Sequence, residues 1–138
     1  MSLRQRFVPV IGSFVVIWVA DFVIHHVWLG GFYKAHAAWW RPEAEMTSML
    51  PLMVLAQFLL AWLMTVVYEK GYEAGKPGLA QGVRFGLLIG LLLAGPANLL
   101  HLVVYPYPAS LIASWLIGGL IQITLAGLVI GALYQPEK

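Results

Sequence analysis

The chain has no cysteine and little charge: Asp, Glu, Lys and Arg make up 10% of it, six acidic residues against eight basic. Without cysteine there are no disulfides, thiolate zinc sites, cysteine-ligated iron–sulfur clusters or thiol catalysis. So small a share of charge excludes a disordered chain, which stays solvated through charge. It also excludes a nucleic-acid-binding domain, which needs a basic face. The formal net charge is +2. No HExxH, phosphate loop or serine-nucleophile motif is present, so no catalytic residue is assigned and the chain leans away from an enzyme. There is no internal repeat and no low-complexity tail.

What the 138 residues have in abundance is apolar surface. Hydrophobic residues make up 61%, where soluble domains sit at about 45–50%. The mean hydropathy is +0.83. Four apolar runs dominate: Phe7–Leu29, Leu50–Tyr68, Phe85–Tyr105 and Ala109–Tyr134. At about 1.5 Å per residue each rises roughly 28–39 Å, enough to cross a hydrocarbon core of about 30 Å. Backbone groups in lipid must bond within their own segment, so these runs are predicted as helices. They do not alternate as the strands of a membrane barrel do. The expectation is one domain over residues 1–138, an all-α antiparallel four-helix transmembrane bundle.

The first run follows Arg4 and Arg6 but continues past Asp21 to Leu29, and Trp18 is too bulky for a cleavage site, so it reads as a retained signal anchor. Arg4, Arg6, Lys70, Lys76, Arg84 and Lys138 fall on one side of the bundle, Lys34 and Arg41 on the other. The positive-inside rule then makes both termini cytoplasmic. The outer loop, Gly30–Met49, carries Phe32, Tyr33, Trp39 and Trp40, rings that favour the headgroup region. Gly30-Gly31 is predicted to end the first helix. Pro42-Glu43 suits the start of another helical turn, and Pro51 a kink or restart. The inner loop, Glu69 to Gln81, reads as a solvated turn. Pro106-Tyr107-Pro108 is tight, which makes the third and fourth helices antiparallel neighbours.

Helices in lipid associate through close backbone approach. Gly82, Gly86, Gly90 and Ala94 form a small-residue stripe on the third helix; Gly118-Gly119, Gly127 and Gly131 form another on the fourth. They predict helix–helix contacts, within one chain or between chains.

Polar residues at membrane depth carry a functional hypothesis by default. Counting about 1.5 Å per residue puts Asp21, Gln57 and Asn98 at one level, with His25, His101 and Ser114 closer to the outer surface. Asp21 and His25, four apart, share a helix face. His101 and Asn98 continue the glycine stripe and point into the bundle, whereas His26 points away from Asp21. Asp21, His25, Asn98 and His101 are therefore predicted to form a polar cluster, with Gln57 nearby. They serve there either as interhelical glue or as a binding site.

The stretches Asp21-Phe22-Val23-Ile24-His25-His26, Tyr33-Lys34-Ala35 and Trp40-Arg41-Pro42-Glu43-Ala44-Glu45-Met46 resemble small bacterial four-helix integral membrane proteins grouped as a domain of unknown function. The resemblance spans nearly the whole chain in length and helix pattern, and residues 21–46 are its most specific part. It implies a multi-pass protein of the bacterial inner membrane and no particular activity.

Three functions fit the sequence. The first is a non-catalytic accessory or scaffold subunit, packing through its glycine stripes against a larger membrane complex or a second copy of itself. The second is a protein that binds haem, pigment or metal through His25 and His101, with Asp21 and Asn98 in support; His26 is a further candidate metal ligand. The third is a small oligomeric transporter whose third helix breaks at Gly95-Pro96. In all three the surroundings are the lipid bilayer, and no nucleic acid is involved.

Overall fold

A computed structural model describes residues 3–136. Lys138 and the side chain of Arg4, two of the six basic residues in the charge count, lie outside the described residues. All regular structure among the described residues is helical. Helix α1 (Leu3–Phe22) leads into a π-helical segment, Val23–Trp28. Three short elements follow: α2 (Gly30–Ala35), a 3-10 turn (Ala37–Trp39) and α3 (Glu43–Ser48). Then come the long helices α4 (Leu50–Gly71), α5 (Gly78–Val104) and α6 (Ala109–Leu133). Four spans are long and apolar enough to cross a membrane: Gln5–Trp28, Leu50–Gly71, Gly78–Val104 and Ala109–Leu133. Only 11–33% of each is buried within the chain. The rest is a coat of leucine and valine suited to lipid.

Side-chain contacts fix the directions. Gly12 of α1 lies against Val129 and Leu133 near the end of α6, and Ile24 lies against Gly118 near its start. Phe14 packs on Phe58 of α4, and Arg6 pairs with Glu69 at 3.0 Å. The four spans are therefore antiparallel in sequence order, with residues 3 and 136 at the same end. Helices α1 and α6 are central; α4 packs along α1, and α5 along α6. Helices α4 and α5 touch near the termini, where Tyr68 meets Phe85 with ring centroids 5.3 Å apart, but do not pack along their lengths.

The glycine stripes meet each other inside the chain. A methyl group on Gly127 would sit 2.5 Å from the Gly82 carbonyl oxygen and 2.6 Å from Gly86 Cα. One on Gly131 would strike the Gly78 backbone, and one on Gly86 would lie 2.7 Å from Thr124 Cα. Gly90 faces Leu120 and Ile123. Gly82, Gly86, Gly90, Gly127 and Gly131 thus hold α5 to α6 by backbone contact. Polar side chains in the spans mostly bond to the carbonyl one turn back: Ser13 to Pro9, Thr65 to Ala61, Ser114 to Ser110. Such bonds let a hydroxyl lie in lipid without a partner on another helix.

Several boundaries differ from the sequence expectation. Gly30-Gly31 opens α2 rather than ending the first helix; the interruption falls at Leu29. The Leu29 N–H bonds to the Ile24 carbonyl at 2.9 Å, five residues back. In a regular α-helix, residues five apart point about 140° away from each other. The wider turn brings Ile24 and Leu29 onto one buried face beside Leu111. Helix α5 begins at Gly78, seven residues ahead of the apolar run, because Pro77 is extended and the stripe is already helical at Gly82. It also runs unbroken through Gly95-Pro96. Proline's fixed φ is a helical value, and a long membrane helix absorbs the one lost hydrogen bond. Pro42 does cap α3, and Pro51 sits in the first turn of α4.

Candidate ligand cavity

Four elements carry a connected set of polar groups at the end of the bundle away from the termini. In the π-helical segment, His25 Nε2 lies 3.8 Å from Asp21 Oδ1 on α1. His25 Nδ1 lies 2.7 Å from the Tyr33 hydroxyl on α2. That hydroxyl accepts the Trp115 indole N–H from α6 at 2.8 Å. The arrangement that satisfies every donor has Tyr33 donating to Nδ1, which places the His25 proton on Nε2, facing the aspartate. Gln122 on α6 donates its amide to the Ile17 carbonyl at 3.0 Å and reaches Asp21 Oδ1 at 3.4 Å. Burial pushes the Tyr33 phenol above its ordinary pKa. The hydrogen bond from Trp115 opposes that shift, and the charge of Asp21 adds to it.

This network forms one wall of a cavity of about 340 Å3. His25, Trp115 and Gln122 line it on that side; Ala94, Asn98 and His101 line it from α5; Leu60 of α4 and Leu93 of α5 line it as well. Asn98 is 7% exposed. It donates its amide to the Ala94 carbonyl at 2.8 Å, which leaves its Oδ1 buried and without a hydrogen-bond partner. His101 Nδ1 is also buried and unpartnered, and its ring stands edge-on to Trp115 with centroids 6.0 Å apart. Leaving such an atom buried and unsatisfied costs about 1–3 kcal/mol.

Of the residues singled out from sequence, His25, Asn98 and His101 line the same cavity, and Asp21 stands behind His25. His26 lies on the exposed side, stacked on Phe22 with ring centroids 5.0 Å apart. Gln57 does not line the cavity, though its Oε1 is buried and unpartnered. Ser114 bonds to its own helix. Tyr33, Trp115 and Gln122 belong to the site by geometry and were not placed there by sequence. Spacing on one helix cannot pair α2 with α6, and the only sequence signal was that Gln122 is polar at membrane depth.

The geometry bears directly on a histidine-held cofactor. His25 Nδ1 is taken by the Tyr33 hydroxyl, and its Nε2 lies 3.8 Å from Asp21 Oδ1, beyond hydrogen-bond distance. Among the described residues, no three His, Asp or Glu side chains converge where a metal ion would sit.

Above the cavity, at the loop end, the aromatic residues close on one another. Trp40 packs on Tyr33, Tyr107 and Trp115 at 5.2, 5.4 and 6.3 Å between ring centroids. Trp39 stacks on Tyr107 at 5.6 Å. These contacts bind the 30–40 segment to the start of α6 and roof the polar wall.

No family model matches the chain, and neither a curated protein nor a solved structure matches it.

Proposed function

We propose that this chain is a small multi-pass membrane protein that binds a small molecule in the cavity between α1, α5 and α6. One observation carries the reading: Asn98 Oδ1 and His101 Nδ1, two buried polar atoms without partners, belong to residues that line the same cavity. A bundle that needed these residues only as glue would have joined them to each other or to a facing helix. The opposite wall is held rigid by the Asp21–His25–Tyr33–Trp115 chain, a supporting arrangement that keeps a binding site in one geometry.

The accessory-subunit reading drew on abundant small-residue faces and on the scant mass outside the membrane. Gly82, Gly86, Gly127 and Gly131 are taken up between α5 and α6, so a protein partner would dock on the leucine coat. The orientation with both termini in the cytoplasm, and the inner membrane as location, rest on the excess of basic residues at the terminal end.

The test is thermal unfolding of the purified protein, stripped of small molecules and then given back the organic extract of its host membranes. The wild type gains stability on add-back, because a ligand that binds only the folded state stabilises it. Asn98→Leu unfolds at the stripped temperature with or without extract. An equal response from wild type and variant overturns the proposal.

A further inference from the structure

We infer that the cavity takes the uncharged, hydroxyl-bearing head of a membrane-dissolved amphiphile, which enters sideways between α4 and α5. The inference rests on the binding role proposed above and narrows it to a chemical class. Three observations carry it.

The first is the lining. No Lys, Arg, Asp or Glu is among the residues that line the cavity. Asp21 lies behind His25 and Gln122, engaged with both. A charged head would find no counter-charge there, and at this depth an unpaired charge is costly. The head is therefore neutral.

The second is what the lining lacks. The Asn98 amide donates to Ala94, and its Oδ1, an acceptor, has no partner. The ligand must therefore donate. A ketone, ester or ether cannot do so; a hydroxyl can. An oxygen of the ligand can likewise accept from His101 Nδ1 when that nitrogen carries the ring proton.

The third is the entrance. Leu60 on α4 and Leu93 on α5 both line the cavity, and these two helices do not pack along their lengths. Asn98 lies six residues before the end of α5 at Val104, about 9 Å down the helix at about 1.5 Å per residue. The mouth therefore faces lipid at hydrocarbon depth. On the aqueous side, the packed rings of Trp40, Tyr107 and Trp115 stand over it. A molecule already dissolved in the bilayer reaches this mouth without crossing water, its apolar tail resting between the leucines of α4 and α5.

The experiment uses the full chain in lipid nanodiscs with two probes, 4-pentylphenol and its methyl ether. The pair differ in the one O–H, and tryptophan fluorescence reports binding. The other tryptophans are replaced by phenylalanine, so that the emission comes from Trp40 and Trp115 alone. The phenol binds saturably and at least about tenfold more tightly than the ether, the factor expected when a buried acceptor is left unsatisfied. Asn98→Leu removes the preference. Asn98→Asp, which keeps an acceptor, retains part of it. Equal binding of phenol and ether overturns the hydroxyl assignment, as does a preference that survives in Asn98→Leu. If neither probe binds while the membrane extract still stabilises the wild type and not Asn98→Leu, the cavity role stands and the chemical class is wrong. If the extract also has no effect, the binding role itself fails.

Discussion

The Tyr33 hydroxyl accepts the Trp115 indole N–H at 2.8 Å across 82 residues of sequence. It joins the loop-end helix α2 to α6, and through His25 it joins both to α1. A single phenol thus connects the aromatic roof to the polar wall below. Replacing Tyr33 with phenylalanine strands His25 Nδ1 and Trp115 Nε1 together. The expected loss is about 1–3 kcal/mol of stability, read as a lower unfolding temperature in detergent. Trp115→Phe removes one donor and leaves Tyr33 bonded to His25, so it costs less in hydrogen bonding. An unfolding temperature unchanged in Tyr33→Phe would show that the two bonds contribute nothing.

The same phenol carries a pH dependence. Burial raises its pKa above the ordinary value, so the fold favours the neutral form. A raised folded pKa means the stabilisation is complete below the unfolded value of about 10 and is lost as pH rises through the higher folded value. Ultraviolet titration should therefore show a late-ionising tyrosine component in the folded protein that is smaller by one residue in Tyr33→Phe.

At the opposite end, Glu73 pairs with Lys76 and with Arg84, the latter at 2.5 Å. Hydrogen bonds from these two residues hold its carboxyl below the usual carboxylate range. The stabilisation is complete above the ordinary carboxylate pKa and is lost as pH falls through the depressed value. Carboxyl-carbon NMR of Glu73 should show its titration moving up in Arg84→Gln. The α4–α5 turn also depends on Gln81, which accepts the Glu73 backbone N–H at 2.9 Å and donates to the Glu73 and Lys76 carbonyls. Arg84→Gln should therefore shift the titration without unfolding the turn.

The glycine positions are not equivalent. Gly127→Ala places a methyl against Gly82 and Gly86 backbone, which cannot rotate away. Forcing α5 from α6 should cost about 1–3 kcal/mol. Gly95→Ala meets nothing within 4 Å and should be tolerated. Paired unfolding measurements check both; equal effects would contradict the α5–α6 contact.

The absence of cysteine makes orientation directly measurable. Ala38→Cys, in the loop between α2 and α3, should react in intact cells with a thiol reagent that cannot cross membranes. Ala74→Cys, between α4 and α5, should react only after permeabilisation. The reverse pattern would invert the topology.

The four spans were legible in the sequence because apolar length alone decides what can cross lipid. Asn98 and His101 were placed toward the bundle because the glycine stripe fixes which face of α5 is inward. The break at Leu29 was not legible. Gly30-Gly31 is a strong local stop signal, but the burial of Ile24 and Leu29 on one face prevailed through a π turn. Nor could helical spacing bring Tyr33 to Trp115, because a contact between α2 and α6 depends on how the loop folds back, and one helix's periodicity carries no such information. The hydrogen bond between Tyr33 and His25 Nδ1 followed from that same fold-back.

The most direct test of the cavity as a binding site is native mass spectrometry of the protein taken from its membrane in polymer discs, wild type beside Asn98→Leu. The wild type should carry a discrete added mass that Asn98→Leu lacks, with both chains folded by circular dichroism. Identical spectra from the two proteins would contradict a ligand held at Asn98 and His101.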